Sequence, residues 1–185
     1  CCAVLAQLSK LGCRSVELHG GEPTLRNDLP ELVLCCTQLG MATMMATNGL
    51  NMTEKLASEL VEAGLKEIRF SLEGSREVHD LIRGRGDAFD KQVQAIEAVH
   101  KADRAGQVVK IINTTISSMN IQRIEDIVDV ARQVGLKNVL VFLASVVAPD
   151  VAEETNTVFG EDVAYRRSLL GGELLIHAPD LIERK

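Results

Sequence analysis

Residues 53–72 read TEKLASELVEAGLKEIRFSL, and this stretch holds one complete unit of the pattern from which the fold follows. Leu56, Leu60 and Val61 recur at helical spacing, Gly64 interrupts them, and EIRFSL then reads as a strand. A glycine there suits the left-handed turn that closes a helix. The unit repeats in both directions. Gly12, Gly40, Gly106 and Gly135 end helix-like segments and are followed by SVEL, MATMMA, VVKIINTT and VLVFLA. In NIQRIEDIVDVARQVG the helical spacing is carried by Ile121, Ile124, Val128 and Ala131. Start signals agree: Asp28 with Glu31 forms a capping-box pattern, and Asn120 is placed to cap its helix.

Strands that alternate with helices and are written as nearly continuous apolar runs predict an α/β fold with a parallel sheet covered by helices. Successive glycines of the series lie 28, 24, 42 and 29 residues apart. The long unit carries an insertion, EGSREVHDLIRGRGDAF at 73–89, and long loops tend to be functional. Residues 1–150 read as the core. Residues 151–185 read as a C-terminal extension in which FGEDVAYRRSLLGG is expected to form a last helix.

With 185 residues, 46% of them hydrophobic and 25% charged, the chain can bury a core. A net charge of −6 and an aromatic content of 3% without Trp argue against a nucleic-acid partner. No apolar run is long enough for a bilayer span and no signal peptide is legible, so a cytoplasmic protein with no membrane partner is expected. The five cysteines, Cys1, Cys2, Cys13, Cys35 and Cys36, are odd in number and crowded at one end, which predicts reduced thiols. Cys35 and Cys36 are neighbours within a helix, cannot share a face, and are read as small hydrophobic residues.

Parallel α/β folds bind ligands at the C-terminal ends of their strands. Those ends carry HGGEP after SVEL, TNG after MATMMA, Ser71 and Glu73, Asn113 to Thr115, and Ser145. Gly20 and Gly21 would let backbone pass close to a ligand, and Pro23 stiffens the exit, leaving Glu22 as the one side chain presented. A zwitterion would suit this rim, its ammonium on Glu22 and its carboxylate on Ser71 and Arg83. GGEP taken alone reads equally well as a plain tight turn into the next helix.

HGGEPTLR, ATNGL, FSLEG and HDLIRGRGDAF, in this order on successive strand ends, resemble the S-adenosylmethionine radical enzymes, in particular the branch with peptide-modifying enzymes and sulfatase maturases. The resemblance runs from about Val4 to Leu143. It implies a partial (β/α)6 TIM-like barrel and an enzyme that generates a 5′-deoxyadenosyl radical and abstracts hydrogen from a small-molecule or peptide substrate. By motif position it implies a cofactor site made of Gly20, Gly21, Glu22, Pro23, Thr47, Asn48, Ser71, Glu73, Arg83, Asn113 and Thr115. The GGEP loop would meet the methionyl ammonium, Ser71 and Arg83 its carboxylate, and Asn113 or Thr115 the ribose. A reductant such as flavodoxin or ferredoxin is implied as partner.

The family's C-x-x-x-C-x-x-C loop, which holds a 4Fe-4S cluster, does not occur in this sequence. Residues 1–12 read as the first helix, so the first strand and cluster loop are expected upstream of Cys1 and the present strands would be the second to sixth. A non-catalytic module that keeps the pocket without the cluster is the competing expectation. A Schiff-base aldolase lacks a Lys at a strand end, and a Rossmann methyltransferase lacks its glycine fingerprint. Of the remaining residues, His19 is expected in the barrel mouth, His79 and Asp80 in a local cap near Arg83 or Arg85, and His100 and His177 in solvent. RGRGD carries little weight of its own.

Overall fold

The computed structural model describes residues 1–143. Ser145, His177 and the expected last helix therefore lie outside the described residues. Helix α1 (Cys2–Lys10) leads to strand β1 (Ser15–Leu18), then a 3-10 turn at Pro23–Leu25 and α2 (Leu29–Gln38). Next come β2 (Ala42–Thr47), α3 (Glu54–Glu62), β3 (Glu67–Ser71), α4 (Arg76–Arg83) and α5 (Ala88–Ala102). The described chain ends with β4 (Val109–Ile116), a 3-10 turn at Ile121–Arg123, α6 (Asp126–Gln133) and β5 (Asn138–Leu143). The five strands form one sheet in the order β1-β2-β3-β4-β5, and every neighbouring pair is parallel. Right-handed crossovers in a sheet whose order follows the sequence place the connecting helices on one face.

Alternation along the strands sorts the two faces. Met45, Ile68, Phe70 and Ile112 are buried in one core with Leu60 of α3, Ile96 and Val99 of α5 and Ile127 of α6. A smaller core joins Leu5, Leu32, Cys36 and Met41. The opposite parity supplies Glu17, Met44, Glu67, Arg69, Ser71 and Asn113, in register across β1 to β4. There Arg69 donates to Glu17 at 2.5 Å and to Glu67 at 2.7 Å.

All five glycines of the repeating unit have positive φ. Gly64 has a second reason to be glycine, since a Cβ would stand 2.6 Å from the Thr37 hydroxyl. That hydroxyl donates to the Ala63 carbonyl at 2.7 Å and locks the end of α3 against α2.

Several expectations are corrected. Asp28 stands at the start of α2 but makes no capping hydrogen bond, because Arg26 holds both of its oxygens at 2.9 and 2.7 Å. The helix expected from Asn120 is broken into the 3-10 turn and α6. Its phase is set from Asp126, so Ile127, Val130 and Ala131 are buried while Val128 is exposed. The insertion is no loose loop: Arg76–Arg83 form α4 and Ala88 and Phe89 already belong to α5, with Asp80 accepting from the Phe89 amide at 2.8 Å at the entrance to α5. His100 is half-buried with Nε2 3.3 Å from the Val134 carbonyl. Among the described residues no helix is long and apolar enough to cross a membrane.

The turn from α5 into β4 contains a buried ion pair. The Asp103 side chain is 1% exposed and accepts from the Gln107 amide at 2.8 Å, the Val108 amide at 3.0 Å and the Lys110 ammonium at 2.5 Å. Burial alone would raise its pKa; the Lys110 bond and the two amides outweigh this and hold the carboxyl below its usual value. Removing one partner of such a pair strands the other. Asp103→Ala is expected to lower the unfolding free energy by about 3–5 kcal/mol, measured by urea denaturation, whereas removing the exposed Arg132–Asp129 pair should change it by less than about 1 kcal/mol.

Candidate functional site

The loop after β1 is organised by Glu22. Its backbone is extended, and Pro23 opens the 3-10 turn behind it. One carboxylate oxygen, Oε1, accepts from the Thr24 amide at 3.1 Å, the Thr24 hydroxyl at 2.6 Å and the Thr47 hydroxyl at 2.7 Å. The other, Oε2, accepts from the Asn48 amide at 2.8 Å. Glu22 is thus not simply a side chain presented to a ligand: it staples the end of β1 to the end of β2. Oε1 has its full set of donors, and Oε2 keeps room for one more. Gly20 and Gly21 face open space where a Cβ would be, so their backbone can be approached closely.

A second carboxylate organises the ends of β3 and β4. Glu73 is 6% exposed. Its Oε1 accepts from Arg83 Nη2 at 2.8 Å, and Oε2 accepts from the Thr115 amide at 2.8 Å and the Thr114 hydroxyl at 3.5 Å. The backbone of Glu73 is gripped too. Its amide donates to Nδ1 of His79 at 3.2 Å, and its carbonyl accepts from Asn120 Nδ2 at 3.0 Å. Asn120 also donates to the Thr115 carbonyl at 2.9 Å and accepts from the Ser117 amide at 2.8 Å. Asn120 therefore serves as a buried cross-link and makes no side-chain cap, contrary to its reading in the sequence.

Ser71 and Asn113 are paired in register at the same strand ends. The Asn113 Oδ1 atom is buried and has no hydrogen-bond partner among the described residues. Arg83 spends one N–H on Glu73, which ties the guanidinium to the residue two positions beyond the end of β3, and among the described residues its other donors have no hydrogen-bond partner. The structure thus gathers Glu22, Thr47 and Asn48 at one end of the rim and Ser71, Glu73, Arg83, Asn113 and Thr115 at the other. Thr47 is buried and acts through Glu22. His19 is largely exposed and lies 2.8 Å from Glu17, which stands on the polar face of the sheet. His79 fulfils the expected local cap, on the Glu73 amide, and Arg85 is taken up by Asp87 at 2.6 and 2.9 Å.

The rim suits a molecule with an ammonium, a carboxylate and a hydroxylated sugar. The thiols do not suit an iron–sulfur cluster. Cys36 is buried in the smaller core, Cys13 donates to the Ser15 carbonyl at 3.1 Å, and a hydrogen bond with Cys2, aided by burial, pushes the Cys35 thiol up to about 11. Among the described residues no group of three His, Cys, Asp or Glu side chains could hold a metal ion.

His79 gives the site a pH dependence. It is 1% exposed, and burial first, then the Arg83 charge, lowers its pKa from 6.5 to about 4 against the opposing effect of Asp80. Between these values the unfolded chain binds a proton that the folded chain refuses, so stability is full above the unfolded pKa and falls as pH drops. Chemical denaturation between pH 7 and pH 4 is expected to show a loss of up to about 3 kcal/mol from this group. His79→Asn keeps an acceptor for the Glu73 amide and should flatten that part of the profile.

A family model described as the radical SAM superfamily matches residues 3–131. The Fe-coproporphyrin III synthase of Methanosarcina barkeri is 34% identical over 132 residues, 71% of this chain and 32% of that protein. The mycofactocin maturase MftC of Mycolicibacterium smegmatis is 29% identical over 136 residues, 73% of this chain and 34% of that protein. The chain thus spans about a third of the length of these curated relatives. Among solved structures, native anSMEcpe with bound AdoMet and Kp18Cys peptide aligns with a TM-score of 0.66 at 20% identity, covering 78% of this chain and 42% of that one. That likeness shows the fold, a partial TIM-type barrel of parallel strands. Taken with the family match over most of its length, it means that the chain belongs to the radical SAM superfamily.

Proposed function

We propose that this chain is the S-adenosylmethionine-binding core of an enzyme that removes hydrogen from a peptide or small-molecule substrate. The observation that carries the reading is the rim itself: a carboxylate behind β1, a guanidinium tied to Glu73 behind β3, and at the paired ends of β3 and β4 the Ser71 hydroxyl and an Asn113 oxygen with no partner among the described residues. Glu22 Oε2 and the Gly20–Gly21 backbone receive the methionyl ammonium. Ser71 and the remaining donors of Arg83 receive the carboxylate, and Asn113 or Thr115 meets the ribose. Thr47, Asn48 and Glu73 hold these groups in place. Pairing both charges matters because an unpaired ion in a dry site costs several kcal/mol.

When bound, a 4Fe-4S cluster and S-adenosylmethionine together supply reductive cleavage to a 5′-deoxyadenosyl radical that takes the hydrogen. A one-electron donor of the flavodoxin or ferredoxin type belongs to this reading, as does a cytoplasmic setting. The cluster's ligands are assigned to protein outside these 185 residues, since the cysteines present do not fit it. A peptide substrate is supported by the solved neighbour that holds a peptide together with AdoMet. The same cysteines favour the second reading, a module that binds the nucleotide without catalysing its cleavage.

Anaerobic reconstitution of the 185-residue chain with iron and sulfide is expected to leave it without a stoichiometric cluster, as iron analysis would show. A longer protein that carries the C-x-x-x-C-x-x-C loop should yield deoxyadenosine under reduction; a cluster without deoxyadenosine would support the second reading. In calorimetric titration with S-adenosylmethionine, Arg83→Ala or Glu22→Gln should weaken binding by roughly 2–5 kcal/mol and Ser71→Ala by about 1.5–3 kcal/mol. Arg85→Ala should change little. Unchanged affinity in folded Arg83→Ala would overturn the carboxylate site.

A further inference from the structure

Gln92 lies in α5, is completely buried, and reaches the rim described above at the end of β2. Its Nε2 donates to the Thr47 carbonyl at 3.3 Å. Its Oε1 has no hydrogen-bond partner among the described residues and packs against Gly49, where a Cβ would stand 2.1 Å from that oxygen and 3.0 Å from the Gln92 Cα. The glycine hydrogen that a Cβ would replace therefore points at Oε1, a weak C–H···O contact that accounts for an otherwise orphaned acceptor. Gly49 has φ +75°, a left-handed conformation that glycine adopts without strain. Its amide donates to the Thr47 hydroxyl at 3.0 Å, and that hydroxyl donates to Glu22.

Arg83 is the last residue of α4, the partner helix that leads into α5. Helices α4 and α5 are fastened by the Arg76–Asp90 pair at 2.5 and 2.6 Å, by Asp80 on the Phe89 amide, and by Arg76 stacked 4.9 Å over the Phe89 ring. A continuous set of contacts thus runs from Arg83 through α4 and α5 to Gln92, then to Thr47 and Glu22.

We propose that Gln92 is a positioning residue for the ammonium end of the site, and that the α4–α5 pair sets the separation between Glu22 and Arg83 through its latch on the Thr47–Gly49 turn. This rests on the reading of Glu22 and Arg83 given under the proposed function. A residue that merely filled space would affect all ligands alike. A positioning residue affects those that carry the methionyl charges.

The test compares S-adenosylhomocysteine, which has both charges, with methylthioadenosine, which has neither, on the 185-residue chain by calorimetry. Gln92→Met keeps the length and bulk of the side chain and removes the amide. It is expected to weaken S-adenosylhomocysteine roughly tenfold, the scale of one buried hydrogen bond, and to leave methylthioadenosine within about twofold, less than the smallest such bond would contribute. Gln92→Glu, which keeps an acceptor against Gly49 but loses the donor to Thr47, should fall on the same side. Equal affinities for wild type and Gln92→Met overturn the inference while leaving the proposed function standing. Equal weakening of both ligands, with a lowered melting temperature, reduces Gln92 to packing and also overturns it. A wild-type chain that does not prefer S-adenosylhomocysteine overturns the zwitterion site, and the inference with it.

Discussion

A nearly buried carboxylate must find its donors inside the protein, and Glu73 finds them on α4 and β4 while its own backbone is held by His79 and Asn120. The constraint is strict because an unpaired charge at such a site costs more than most single contacts contribute. It brings the end of β3, the end of β4 and the C-terminal turn of α4 to one place. Glu22 does the same for β1 and β2. Strand ends in a parallel sheet open into loops whose amides lack ladder partners, and here two side-chain carboxylates accept from them.

The two faces of the sheet divide the work. The face under the helices is apolar and supplies the driving force for folding. The other face is free to be polar, and it holds the Glu17–Arg69–Glu67 cluster on β1 and β3. The C-terminal rim takes its polar groups from the last residues of the strands, Thr47, Ser71, Asn113 and Thr115, and from the loops and the added helix that follow them, Glu22, Asn48, Glu73 and Arg83. The helix α4 and its junction with α5 are what turn an ordinary strand end into a place for a guanidinium. The chemistry of the site and the rigidity of its frame come from the same hydrogen bonds.

The sequence by itself determined the alternation of five strands with helices, the parallel sheet, the five helix-closing glycines and the strand ends at which Glu22, Ser71 and Asn113 stand, but not α4, which it showed only as an insertion. These follow from local periodicity, from the φ that glycine permits, and from spacing along one chain. Tertiary structure alone decided what each polar side chain bonds. Asp28 reads as a cap, but Arg26 two residues away claims its oxygens. Asn120 reads as a cap too, yet it lies beside Glu73, forty-seven residues distant in sequence, and bonds its carbonyl. Gln92 gave no signal in the sequence, because a glutamine in a helix is ordinarily a surface residue. A hydrogen-bond partner is chosen by direction and distance in three dimensions, and a pattern in one dimension records only which groups need one.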